Sequence, residues 1–306
     1  MKILVTGAWN CTQAQLNDLS KMGHTVVFMQ NEKDALPCAY EDVEGVICNG
    51  LFLYHNIEKF SSLRYIQLTS AGFDRVPIEY IQQRGIKIYN ACGVYSIPMA
   101  EFAIGGVLQL YKQLRFFYEN QKNNVWDKHR GVLELFGKTV CIIGCGNVGT
   151  ECAKRFQVFG CRVIGVDLFP REDTAYEKMS ALSELDNALR QADVVVLTLP
   201  LTDKTKHMIN GARFDAMKKG CVLVNIARGA ILEEEALLKA LDEKLGGAVL
   251  DVFETEPLAK DNRLWKKENV IITPHNSFVG DGNMQRLGAL IFKNLEVENV
   301  ANGIRK

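Results

Sequence analysis

The stretch GCGNVG, residues 144–149, follows the apolar run TVCII and opens a helical pattern, and an acid, Asp167, ends the next apolar run 18 residues after Gly149. Each position has a chemical use. Gly144 permits a tight turn, Gly146 lets the backbone approach a pyrophosphate, and Gly149 lets the helix pack closely on the strand before it. The amides that open the helix, at Asn147 and Val148, then face the phosphates. Asp167 accepts hydrogen bonds from the adenosine ribose hydroxyls and repels a 2′-phosphate, which predicts NAD in preference to NADP, a preference moderated by Arg171 nearby. Cys145, inside the turn, reads as a packing thiol.

Chemistry on a nicotinamide needs two further groups, a proton donor matched to neutral pH and a fixed cation to orient the substrate. The C-terminal half supplies candidates. Arg228 follows CVLVNIA, Asp251 and Glu256 lie in VLDVFETEP, and His275 follows NVIIT, each at the carboxyl end of an expected strand, where open α/β sheets bind their ligands. The guanidinium fork of Arg228 suits a carboxylate. Taken singly, each has a plain reading: a surface arginine, a helix-start acid, a satisfied histidine. His24, His55, His129 and His207 have no partner motif and are assigned no chemistry. His55 stands apart from them because LFLYHN, with Phe52 and Tyr54, is a loop able to border a pocket.

The elements that must hold these residues form two series. Short apolar, β-branched runs (KILVTG, TVVFMQ, EGVICNG, RYIQLTS, IKIYNA) alternate with helical stretches, which predicts parallel α/β structure. A long amphipathic segment from Ile97 to about Glu119 reads as a connecting helix. The alternation then restarts with TVCIIG, RVIGVD, DVVVLTL, CVLVNIA, GAVLD and NVIIT, which predicts a second doubly wound domain. The opening KILVTGAWNCTQ lacks the second and third glycines, and bulky Trp9 and Asn10 stand where a phosphate would need room, so it reads as an ordinary βα turn. Two domains also suit 306 residues.

Lys plus Arg and Asp plus Glu both number 36, so no bulk field gathers nucleic acid or an anionic membrane. Nine cysteines without paired spacing suggest reduced thiols and a cytoplasmic setting. No leader, membrane span or metal-ligand pattern is expected.

GCGNVG with Asp167, then LPLTDKT, NIARG, DVFETEP and TPHNSF, in this order, resemble the D-isomer-specific 2-hydroxyacid dehydrogenases, among them D-lactate, glyoxylate/hydroxypyruvate and phosphoglycerate dehydrogenases. TSAGFDRV and NACGVYSIPMAEFAI extend the resemblance over nearly the whole chain. It implies a flavodoxin-like substrate domain, residues 1–99 and 281–306, with an NAD-binding Rossmann domain, residues 100–280, inserted between hinges near Ile97 and Gly280. The glycine turn comes late for that reason.

The resemblance also implies roles. Arg228 holds the 2-oxo acid's carboxylate and carbonyl, Glu256 pairs with His275, and His275 protonates the carbonyl as hydride arrives from NADH. A carboxylate buried beside an imidazole favours the imidazolium, which keeps that proton available. The loop of Ser70, Ala71 and Gly72 binds the carboxylate through its amides, and domain closure excludes water. Asp251 and the backbone near Ile226 hold the nicotinamide carboxamide, and Leu199 and Pro200 border the cofactor. Trp126 lies on an arm that reaches toward a partner, which implies a homodimer.

Two features depart from the family pattern: Asn147 replaces a frequent arginine, and SAG replaces a glycine-valine-glycine loop. A phosphorylated substrate calls for further cations, with Arg75 and Lys112 as candidates that the sequence alone does not place. Other readings within reach of the resemblance are a dinucleotide-sensing corepressor, a phosphoglycerate dehydrogenase and a formate dehydrogenase, the last disfavoured by Glu256 where its site has glutamine.

Overall fold

The computed structural model describes residues 1–301. The chain divides into two compact units, Met1–Tyr95 together with the chain from Gly280 onward, and Ser96–Val279.

In the first unit five parallel strands, β1 (Lys2–Thr6), β2 (Thr25–Met29), β3 (Gly45–Cys48), β4 (Tyr65–Leu68) and β5 (Lys87–Tyr89), stand in the order β2-β1-β3-β4-β5. Every residue of β3 and β4 is buried, as a parallel sheet covered on both faces requires. Helix α1 (Gln13–Lys21) starts with a capping box between Thr12 and Gln15, and α2 (Ile78–Gln83) lies between β4 and β5. The C-terminal helix, Asn283–Ala301, returns to this unit and packs Leu287, Ile291 and Leu295 on Ile3, Val5 and Trp9. Their spacing of four makes one helical stripe, and burying each contributes about 1.5–3 kcal/mol. Trp9 is fully buried, edge-on to Phe292 with ring centroids 6.1 Å apart, so the first βα turn is scaffold.

The second unit has seven parallel strands: β6 (Thr139–Ile143), β7 (Arg162–Asp167), β8 (Lys178–Ala181), β9 (Val194–Leu197), β10 (Val222–Asn225), β11 (Gly247–Leu250) and β12 (Val270–Ile272). Their order is β12-β11-β10-β9-β6-β7-β8, so the direction of winding reverses at β6 and leaves a crevice outside its carboxyl end. Helices α3 (Ser96–Tyr111), α4 (Leu114–Lys122), α5 (Asn147–Val158), α6 (Leu185–Gln191), α7 (Gly211–Ala216) and α8 (Glu234–Glu243) complete it.

Two expectations need correction. The connecting helix is not continuous to Glu119. Gln113 takes a left-handed conformation with φ 53° and donates its side-chain amide to the Leu110 carbonyl at 3.0 Å, which ends α3 and starts α4 as a separate helix. The polar strand β8, KMSA, is also additional to the expected six.

Candidate active site

The glycine turn lies in the crevice at β6. Gly144 has φ 95°, and a side chain there would lie 2.6 Å from the Leu199 backbone nitrogen, so the loop after β9 is seated directly on the turn. A Cβ on Gly149 would meet the Gly144 carbonyl oxygen at 2.1 Å, which brings α5 hard against the strand end. Gly146, the first cap of α5, has open space where a side chain would stand and no side-chain cap on the helix amides. An uncapped helix start beside open space fits a pyrophosphate.

Asp167 is fixed at the end of β7, its carboxylate accepting from the backbone N–H of Cys145 at 2.6 Å and of Phe169 at 3.0 Å. A carboxylate has about four acceptor sites, so two remain for the hydroxyls of a ribose. Arg171 donates to the Cys145 carbonyl at 2.7 Å and so borders the same turn. Asn147 is exposed, Val148 is half-buried, and Leu199 is buried with Pro200 exposed beside it. Cys145 is buried, and burial pushes its thiol up to about 11, which leaves it inert as a nucleophile.

The loops after β9, β10, β11 and β12 are laced to one another. His207 donates its backbone N–H to Ala230 at 2.7 Å, and Asn225 donates its side-chain amide to the Arg228 carbonyl at 3.0 Å. A Cβ on Gly229 would lie 1.9 Å from the carbonyl carbon of Phe253, so the segment carrying exposed Arg228 rests on the backbone that leads to Glu256. Glu256 accepts the Phe253 N–H at 3.0 Å with one oxygen and meets His275 Nδ1 at 2.9 Å with the other. Because a carboxylate only accepts, Nδ1 carries the proton of that bond, and Nε2 has no hydrogen-bond partner among the described residues. The pair is more open than expected, with the two side chains 42% and 37% exposed, because both stand on loops above the sheet.

The family follows from the match of residues 104–277 to the model of the D-isomer specific 2-hydroxyacid dehydrogenase NAD binding domain. The chain belongs to that family. It is similar to a glyoxylate reductase of Thermofilum pendens, 34% identical over 86% of this chain and 78% of that one. It is equally similar, at 34% identity over 80% of this chain, to a D-3-phosphoglycerate dehydrogenase of Methanocaldococcus jannaschii, of which it spans about half, 49%. Among solved structures, the D-lactate dehydrogenase of Aquifex aeolicus complexed with NAD and lactic acid matches with a TM-score of 0.76 and 27% identity, over 99% of this chain and 96% of that one. This 2-hydroxyacid dehydrogenase is therefore a dinucleotide-dependent oxidoreductase interconverting 2-oxo and 2-hydroxy acids.

Within the dehydrogenase site, Asp251 and Ile226 are both buried. Asp251 has no exposed surface, and its carboxylate accepts from Thr273 Oγ1 at 2.6 Å and from the N–H groups of Asn276 and Ser277 at 2.8 and 2.9 Å. With its carbonyl also accepting the His275 N–H at 2.7 Å, it pins the left-handed His275 (φ 51°) and so positions that residue. Ile226 turns its side chain into the core, which leaves its backbone as the part concerned in the expected contact.

His207, assigned no chemistry above, pairs with Glu254 at 2.9 Å. A lone histidine 47 positions from its acid gives no local signal. His55 is a buried structural residue, bonded to Tyr40 Oη at 2.8 Å and to the Glu32 carbonyl at 2.9 Å. Ser70, Ala71 and Gly72 belong to the first unit, on the loop after β4, where Ser70 Oγ donates to the Gly72 carbonyl at 3.0 Å. The N–H groups of Ala71 and Gly72 have no acceptor among the described residues. Among these residues no acidic, histidine and cysteine cluster could hold a metal, and no helix is long and apolar enough to cross a membrane.

Proposed function

We propose that the chain reduces a small 2-oxo acid to its D-2-hydroxy acid, and the reverse, with NAD(H) preferred over NADP(H) and His275 as the acid–base. The Glu256–His275 pair, 2.9 Å apart on two adjoining loops laced through their neighbours to the glycine turn, carries this reading. The nicotinamide, when bound, exchanges hydride with carbon 2 of the substrate. Glu256 orients the imidazole and stabilises its charged form, leaving Nε2 to give a proton to the carbonyl oxygen or take it from the hydroxyl. Arg228 holds the carboxylate, which determines which carbonyl face is presented. Free thiols at all nine cysteines support a reducing, cytoplasmic setting.

The direct test is loss of NADH absorbance with pyruvate, glyoxylate, hydroxypyruvate, a branched 2-oxo acid and 3-phosphohydroxypyruvate, repeated with NADPH. Turnover of at least one acid is expected, with kcat/KM at least about tenfold lower for NADPH, equivalent to ~1.4 kcal/mol of repulsion at Asp167. Saturable NADH binding with no turnover would overturn the catalytic reading in favour of dinucleotide sensing. Equal use of NADPH would overturn the preference.

A homodimer is part of the same reading. Trp126 is 95% exposed beside exposed Phe117 and Val125, on a cavity of about 840 Å3, a face more apolar than an isolated surface favours. Trp126→Asp is expected to shift the sedimentation coefficient from dimer to monomer at micromolar concentration. A wild-type chain sedimenting as a monomer would remove the dimer from the reading.

A further inference from the structure

Between β6 and α5 the chain carries three peptide carbonyls, at Gly144, Cys145 and Gly146, and a donor is set on each. Thr198 Oγ1, on the loop after β9, donates to the Gly144 carbonyl at 2.5 Å. The Gly146 carbonyl accepts the Thr150 N–H at 2.8 Å, a bond of the first helical turn. The Cys145 carbonyl has two side-chain donors, Thr150 Oγ1 at 3.4 Å and Arg171 Nη2 at 2.7 Å. Arg171 reaches it from the loop after β7, only four positions beyond Asp167, where a cation is also placed to meet a 2′-phosphate.

The bonds around Arg171 decide between these two uses. Its backbone N–H donates to Met179 Sδ on β8 at 3.3 Å, which fixes the start of the side chain. The nitrogen that holds the Cys145 carbonyl, Nη2, also pairs with Asp173 Oδ2 at 3.4 Å. Asp173 is held in turn, its other oxygen accepting the Ala175 N–H at 3.0 Å. An ion pair open to solvent contributes little by itself, and its use here is to aim the guanidinium inward at the turn.

A trans peptide is planar and sets its C=O and N–H on opposite sides. Holding the Gly144 carbonyl on Thr198 therefore turns the Cys145 N–H the other way, where Asp167 accepts it at 2.6 Å. Holding the Cys145 carbonyl on Arg171 likewise turns the Gly146 N–H away from Arg171, and that N–H has no acceptor among the described residues. Gly146 itself stands beside open space. We infer that Arg171 is a positioning residue for the dinucleotide's pyrophosphate: through the Cys145 carbonyl it fixes the peptide whose Gly146 N–H is presented to the phosphates. This rests on the reading of the turn and the start of α5 as the pyrophosphate site. The pyrophosphate is common to NAD and NADP, so Arg171 serves both alike and leaves their discrimination to Asp167, in contrast to the moderating effect that its place in the sequence suggests.

Fluorescence titration of the full chain gives Kd for NADH and NADPH, and displacement of NADH gives it for ADP-ribose, which contains the pyrophosphate, and for adenosine, which lacks it. Arg171→Leu is expected to raise Kd for NADH, NADPH and ADP-ribose by about tenfold each, the scale of one hydrogen bond to a charged group, with the NADPH-to-NADH ratio and the Kd for adenosine within about twofold of wild type. Arg171→Lys should restore part of the lost affinity, since it keeps a charged donor. Asp173→Asn, which loosens the guanidinium without removing it, should move the same three ligands in the same direction by a smaller factor. A loss confined to NADPH would make Arg171 an anchor for the 2′-phosphate, an equal loss for adenosine would make it a general support of the turn, and unchanged Kd for NADH and ADP-ribose would leave it without a part in binding. Each of these overturns this inference alone. A wild-type chain that binds neither NADH nor ADP-ribose overturns the reading of the turn and this inference with it.

Discussion

Replacing His275 by alanine is expected to lower kcat for 2-oxo acid reduction by about 10²- to 10⁴-fold, the contribution of a positioned general acid. Among the described residues the imidazole hydrogen-bonds Glu256 alone, and the loop's conformation is pinned by the backbone and by Asp251, so the variant removes the proposed proton donor with little else. The dinucleotide turn is built from other strand ends, and the Kd for NADH should change by less than about threefold, because Asp167 and the α5 amides are untouched. Stopped-flow single-turnover kinetics separates the steps: slow chemistry with normal NADH binding is the expected pattern. A variant retaining wild-type single-turnover rates would show that the proton comes from elsewhere, and His275 would be reduced to a loop residue.

Much of this arrangement was legible because the period of the chemistry matches the period of the fold. Each strand of a parallel sheet delivers its loop to the same edge, so GCGNVG, NIARG, DVFETEP and TPHNSF, each following an apolar run, point to one edge by pattern alone. The missed features are those without a local signal. Strand β8, KMSA, is an edge strand with one neighbour, so it needs no continuous apolar run, and its burial never becomes complete. The break at Gln113 depends on one residue in a left-handed conformation within an uninterrupted apolar pattern. The pairing of His207 with Glu254, and the three donors converging on Asp251, are long-range hydrogen bonds that only the folded sheet creates. The resemblance pointed to Asp251 as a site residue, and its hold on the His275 loop is visible only in the fold.

Gly229→Ala should be the most damaging change that removes no functional group, lowering kcat/KM by on the order of 10²-fold, the cost associated with about 1 Å of misplacement. The added methyl would lie 1.9 Å from the carbonyl carbon of Phe253 and 2.2 Å from the Glu254 nitrogen. These are backbone atoms, so no rotamer change relieves the overlap, and the two loops must separate. Separation acts on both partners at once. Arg228 immediately precedes the substituted residue, and the Phe253 N–H that orients Glu256 is in the segment pushed away, so the proposed carboxylate anchor and the histidine's partner move apart together. Overpacking of this kind costs about 1–3 kcal/mol, which a domain with two large buried clusters tolerates, so the protein should still fold and bind NADH. Circular dichroism and NADH fluorescence titration establish that the fold persists, and steady-state kinetics then isolates the geometric effect. Activity within twofold of wild type would mean that the Arg228 and Glu256 loops tolerate separation, and that their close contact is packing with no bearing on the chemistry.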